Sequence, residues 1–207
     1  MTGPDWGRPR PSPGPESPGE VLEPVVAAAL RQLSVLDDRG LPMLAAYWVA
    51  QGRDGEVLVE LAGLHGDERK VADLWPAALV ELGVTVPVPR DRLVALPWVA
   101  GQVAGGRRPL SWLVTVLWPP VYVGSEPDAA ASDAEDELLD EIVYILDDIL
   151  QFAERVVGDA AQRTRWWRRH GREEATRVQD ALRQGEQAVA ALARKDLTAA
   201  RAALTGG

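Results

Sequence analysis

The residues with chemistry to offer lie in two neighbouring blocks of opposite charge. Residues 126–150 hold ten acids and no base, whereas 1–125 carry a net −3 and 151–207 a net +4. One short segment therefore supplies more than the whole chain's net charge of −9. Soon after it come Arg163, Arg165, Trp166, Trp167, Arg168, Arg169, His170 and Arg172, with no acid between Asp159 and Glu173. Arginine forks and broad indole faces together suit a protein-binding surface. The same pair suits phosphates and stacked bases, but an acidic molecule repels polyanions, so nucleic acid is disfavoured. Internal pairing of the acidic helix with the basic block accounts for the same residues, as does contact between two copies of the chain.

The acidic block also raises metal chemistry. Glu137 and Asp140 share one helix face, a spacing that suits magnesium. Glu137-Leu138-Leu139-Asp140, followed by Ile142 to Leu150, resembles the second metal-binding helix of all-α nucleoside triphosphate pyrophosphohydrolases. The resemblance implies a magnesium-dependent nucleotide phosphohydrolase built on Glu137, Asp140 and Glu141. That family pairs this helix with a Glu-Glu-x-x-Glu element on an earlier one. Residues 93–125 contain no acid, so no residue is carried over from the family.

Other chemistries meet absences. The chain has no cysteine, which removes disulfides, thiol nucleophiles and cysteine-ligated metals. Two histidines, His65 and His170, are too few for a three-imidazole site. None of the serines lies in a Gly-x-Ser-x-Gly elbow, and neither glycine-rich phosphate loop occurs. His65 falls at a helix junction, and His170 among arginines, which hold an imidazole neutral.

Helices must position these blocks. Residues 1–20 contain Pro4, Pro9, Pro11, Pro13, Pro15 and Pro18 with little to bury, and read as a mobile proline-rich tail. An N-terminal helical unit is expected over 21–83. Its helices start near Val21, at Leu41 (Met43, Leu44, Tyr47 and Trp48 inward), after a capping Asp54, and at Asp67, with Pro76 kinking or restarting the last. Val84–Val88 is the best strand candidate, demoted by Pro87 to an edge or extended linker. A second helical unit should span 84–207, with a core hairpin over 91–118, an acidic helix over 135–157 and C-terminal helices within 172–204. Asp196 caps the last of them.

The acidic helix has an apolar stripe (Leu138, Leu139, Ile142, Val143, Ile145, Leu146, Ile149, Leu150, Phe152, Val156, Val157) opposite its carboxylates. Most of the eight tryptophans should fill core, but Trp166 and Trp167 point about 100° apart and cannot both do so. The uncharged stretches 93–106 and 109–125 fall short of the roughly 20 apolar residues a membrane span needs.

The expected protein is all-α, bacterial in its GC-rich residue usage, and cytoplasmic, with no apolar leader segment. Its expected role is non-enzymatic protein binding, as an adaptor, regulatory subunit or immunity-type inhibitor, without cofactor or metal. The partner is another protein or a second copy. The expected contact residues are Arg163, Arg165, Trp166, Trp167, Arg168 and Arg169 with Glu137, Asp140, Glu141, Asp147 and Asp148. A magnesium-dependent phosphohydrolase and a self-associating scaffold are the alternatives.

Overall fold

A computed structural model describes residues 22–88, 90–118, 134–162 and 167–205, with the side chains of 157–162 and 167–172 outside the description. The described residues form nine α-helices and one 3-10 turn, with no strand among them. The fold is all-α. No described helix is long and apolar enough to cross a membrane. Two compact units divide the chain, Met1–Asp91 and Arg92–Gly207.

In the first unit, α1 (Pro24–Gln32) opens on a proline, whose missing N–H is harmless in a first turn. It buries Ala27, Ala28, Ala29 and Leu30. A 3-10 turn (Asp38–Gly40) follows, closed by the Asp37 carboxylate, which accepts from the Gly40 amide. α2 (Leu41–Ala50) packs on α3 (Glu56–Ala62), and α3 on α4 (Lys70–Glu81). Fully buried Trp48 stacks on Trp75 at 5.9 Å, and its indole N–H donates to the Leu22 carbonyl at 2.8 Å. That bond satisfies the polar end of a large core ring. Met43, expected inward, is 57% exposed, because the buried face of α2 runs along Leu41, Leu44, Ala45 and Trp48 instead.

Two local expectations give way to tertiary contacts. α4 runs on through Pro76 without a restart. Proline deprives the carbonyl four residues earlier of its donor, but Ala72 and Pro76 both face solvent, where water replaces the bond. Buried Val71, Trp75, Ala78 and Leu79 hold both halves of the helix against the core.

The start of α3 is likewise not closed by Asp54. The Glu81 carboxylate, from the end of α4, accepts from the Val57 and Leu58 amides at 3.1 and 2.9 Å. Gly55 makes the approach possible, since a Cβ there would lie 2.2 Å from Glu81 Oε2. The segment 84–88 forms no strand. It is an irregular connection with a cis Val86–Pro87 bond, and the Gln32 side-chain amide bonds both the N–H and the carbonyl of Val88. A side chain thus supplies the pairing that a neighbouring strand would have made.

The second unit holds α5 (Asp91–Ala104, its first residue closing the first unit), α6 (Leu110–Leu117), α7 (Ala134–Gln162), α8 (Trp167–Leu192) and α9 (Leu197–Thr205). α7 packs against α6, α8 and α9, and α8 against α9. Asp196 caps α9 as expected, accepting from the Ala199 amide at 2.8 Å. The core draws Leu93, Leu96 and Val99 from α5, and Leu113 and Leu117 from α6. α7 adds Leu139, Ile142, Val143 and Leu146, while α8 and α9 add Val189, Leu192 and Ala200.

Gly185 of α8 lies against Leu110 and Leu146, its Cβ position 3.5 and 3.7 Å from their Cδ2 atoms. This contact puts the start of α6 level with Leu146. In the α7 stripe Leu139, Ile142, Val143 and Leu146 are buried, whereas Ile145 and, beyond it, Ile149, Leu150, Phe152 and Val156 are half-exposed.

Candidate functional site

The expected contact residues fall into three groups. Arg163, Arg165 and Trp166 lie outside the described residues. Trp167, Arg168 and Arg169 form the first turn of α8, and their side chains are not described. The five carboxylates all sit on α7, which their amphipathic pattern predicts.

At about 100° per residue, Glu137, Glu141, Tyr144 and Asp148 fall within roughly 60° of one another, opposite the buried stripe. Glu137 and Asp148 are exposed, and Glu141 and Asp147 are half-exposed. Glu141 pairs with Arg201 of α9 at 3.0 Å, and Asp147 accepts from the Gln151 side-chain amide at 2.6 Å. The Glu141 pair lies at the surface, so it orients α9 more than it stabilises the unit.

Asp140 turns away from this line toward a residue absent from the expected set. Arg92, only 9% exposed, places one guanidinium nitrogen 2.6 Å from Asp140 Oδ1. Its other terminal nitrogen donates to the Leu117 carbonyl at 2.6 Å. One fork thus joins the first turn of α5, the last residue of α6 and the early turns of α7. A cation at a helix C-terminus satisfies an orphan carbonyl and complements the helix dipole. A charge this buried is tolerable only when so paired.

The same corner carries an aromatic stack. Trp118, directly after α6, lies 5.6 Å from Tyr144 with the rings inclined by 28°. Tyr144 is 61% exposed and stands on the carboxylate side of α7. A legible signal marks this residue: one aromatic among acids on the polar face of an amphipathic helix. Arg92 left no comparable mark, because nothing in local spacing links it to Asp140.

A second aromatic group joins Trp98 and Trp112, edge to face at 6.4 Å, with the Arg108 guanidinium 5.2 Å from the Trp112 ring centre. Tryptophans 98, 112 and 118 are half-exposed where core was expected, because the apolar faces of α5 and α6 are filled by leucine, valine and alanine. Trp48 and Trp75 do fill core; Trp6 lies outside the described residues.

For metal chemistry, the relevant geometry is convergence. Among the described residues, no three histidine, aspartate or glutamate side chains gather closely enough to hold an ion. Of the three carboxylates that the phosphohydrolase alternative would use, Glu137 faces solvent, Asp140 meets Arg92 and Glu141 meets Arg201. The first unit has a shallow open depression of about 290 Å³ beside Arg39, Gly66 and Asp67. Exposed His65 belongs to a local turn, its amide donating to the Glu68 carboxylate at 2.8 Å and its carbonyl accepting from the Glu68 amide.

Comparison with protein families, with curated proteins and with solved structures finds no match to this chain.

Proposed function

We propose that the chain is a non-enzymatic protein-interaction module, acting as an adaptor, regulatory subunit or immunity-type inhibitor. It engages another protein through the outer face of α7 together with the Arg/Trp block of 163–172. One observation carries this reading: Glu137, Glu141 and Asp148 of α7 run along one outer line about 16 Å long instead of converging on a cleft. A line of charge over a buried stripe is the form of a docking surface, where complementary potential speeds encounter and sets register.

Affinity capture from the native extract at moderate salt tests it. A stoichiometric protein should accompany the wild-type chain and be absent with Glu137→Lys/Asp148→Lys, with helicity unchanged. Alanine at Trp166, Trp167, Arg168 and Arg169 should also abolish capture, and undiminished capture would remove that block from the surface. A wild-type preparation with no partner would overturn the reading.

A further inference from the structure

We propose that the Trp118–Tyr144 stack is the anchor of the α7 face and that its occupant is a cationic segment of the protein partner. An arginine or lysine side chain would seat on the Tyr144 ring while neighbouring basic residues reach the exposed Glu137 and Asp148. This rests on the interaction-module reading and adds to it the partner's chemistry and two contact residues, Trp118 and Tyr144.

Placement of the stack is the first argument. Tyr144 is the only aromatic among the large apolar side chains exposed in the described residues, and Trp118 packs on it at 5.6 Å. Its neighbours on the helix surface are Asp140 and Glu141 on one side and Asp147 and Asp148 on the other. An aromatic face is electron-rich and attracts a cation held within about 6 Å. Asp140 and Glu141 already meet Arg92 and Arg201, whereas exposed Asp148, one turn after Tyr144, offers a carboxylate for a charge-assisted hydrogen bond beside the ring. An acidic or polyphosphate partner would meet like charge over the whole line. A purely apolar partner would have to strip water from several carboxylates with nothing in return. Arginine fits best, since its planar fork both stacks and bonds carboxylates.

Preorganisation is the second argument. Arg92 bonds the Leu117 carbonyl, one residue before Trp118, and Asp140, one turn before Tyr144. One nearly buried guanidinium therefore fixes the two chain segments that carry the rings. A binding surface held in advance loses less ordering entropy on association.

Fluorescence anisotropy with labelled hexa-arginine, on the full chain, is the experiment. Saturable binding is expected, weakening about tenfold or more as salt rises from roughly 20 mM to about 0.3 M. Tyr144→Ala should weaken it about five- to tenfold, and Tyr144→Phe should restore it, because the ring and not the hydroxyl makes the contact. Glu137→Gln/Asp148→Asn should weaken it about tenfold. Glu56→Gln/Asp73→Asn, which removes the same charge from the first unit, should leave it unchanged. Circular dichroism confirms that each variant folds.

No saturable binding, wild-type affinity in Tyr144→Ala, or equal weakening by the two double variants would overturn the proposal. So would binding of hexa-glutamate. A partner still captured by Tyr144→Ala would refute this anchor and leave the interaction-module reading standing.

Discussion

Each unit closes a helix end with a charged side chain from elsewhere in the chain, and the two do it with opposite sign. In the first, the Glu81 carboxylate receives two amides at the N-terminus of α3. In the second, the Arg92 guanidinium donates to the carbonyl that ends α6. Each charge matches its end of the helix dipole. They differ in depth: Glu81 works at an exposed surface, whereas Arg92 is 9% exposed and carries a carboxylate as a second partner. The first device therefore trims the energy of one helix end, and the second holds a corner of the fold together. The outer, carboxylate-bearing face of α7 starts beside that deeper corner, where Asp140 meets Arg92.

Arg92→Ala gives the largest expected effect. It leaves Asp140 without its guanidinium and returns the end of α6 to solvent. Breaking a fully buried pair costs about 3–5 kcal/mol, and because the Asp140 side chain is 43% exposed the expected loss is about 2–3 kcal/mol. Urea unfolding followed by circular dichroism measures it; a loss under about 0.5 kcal/mol would place Arg92 with ordinary surface charges.

Next comes Gly55→Ala, whose new methyl meets Glu81 Oε2. The carboxylate must withdraw, so the expected cost, about 1–2 kcal/mol, combines a lost cap with local crowding. Glu81→Ala loses the cap without crowding, about 1 kcal/mol. If the two substitutions cost the same, the cap alone matters and the close approach does not.

The smallest effect is at Lys70. The hydrogen bond that the Lys70 ammonium donates to the Glu60 carboxylate, aided by that carboxylate's charge, raises Lys70 above the ordinary lysine value of 10.5. A raised lysine contributes stability that is fully present below its unfolded pKa and lost as pH rises through the folded one, so the window lies above pH 10.5. Glu60→Gln should lower the Lys70 titration midpoint in an NMR titration while leaving the unfolding midpoint at neutral pH nearly unmoved. An unshifted titration would show that the contact does not persist in solution.

Much of the fold was legible because helix signals are local. The apolar period of α7 and the Asp196 cap both act within a few residues of the structure they set. The carboxylate line was legible for the same reason, since periodicity alone puts Glu137, Glu141 and Asp148 on one side. α4 does not restart at Pro76, because buried neighbours on both sides outweigh proline's local penalty. Tryptophans 98, 112 and 118 misled because an apolar helix face says which side turns inward, not how far smaller residues have already filled it.

What the sequence by itself determined is the all-α class, the charge segregation and the face that α7 shows to solvent. Each follows from helical periodicity and composition, which are properties of neighbours along the chain. Tertiary structure alone decided the Glu81 cap, the Gln32 pairing of Val88, the Arg92 fork and the stacking of Trp118 on Tyr144. Those contacts join residues remote in sequence, and their energies depend on burial and on angstrom-scale approach. Neither quantity exists until the helices have packed.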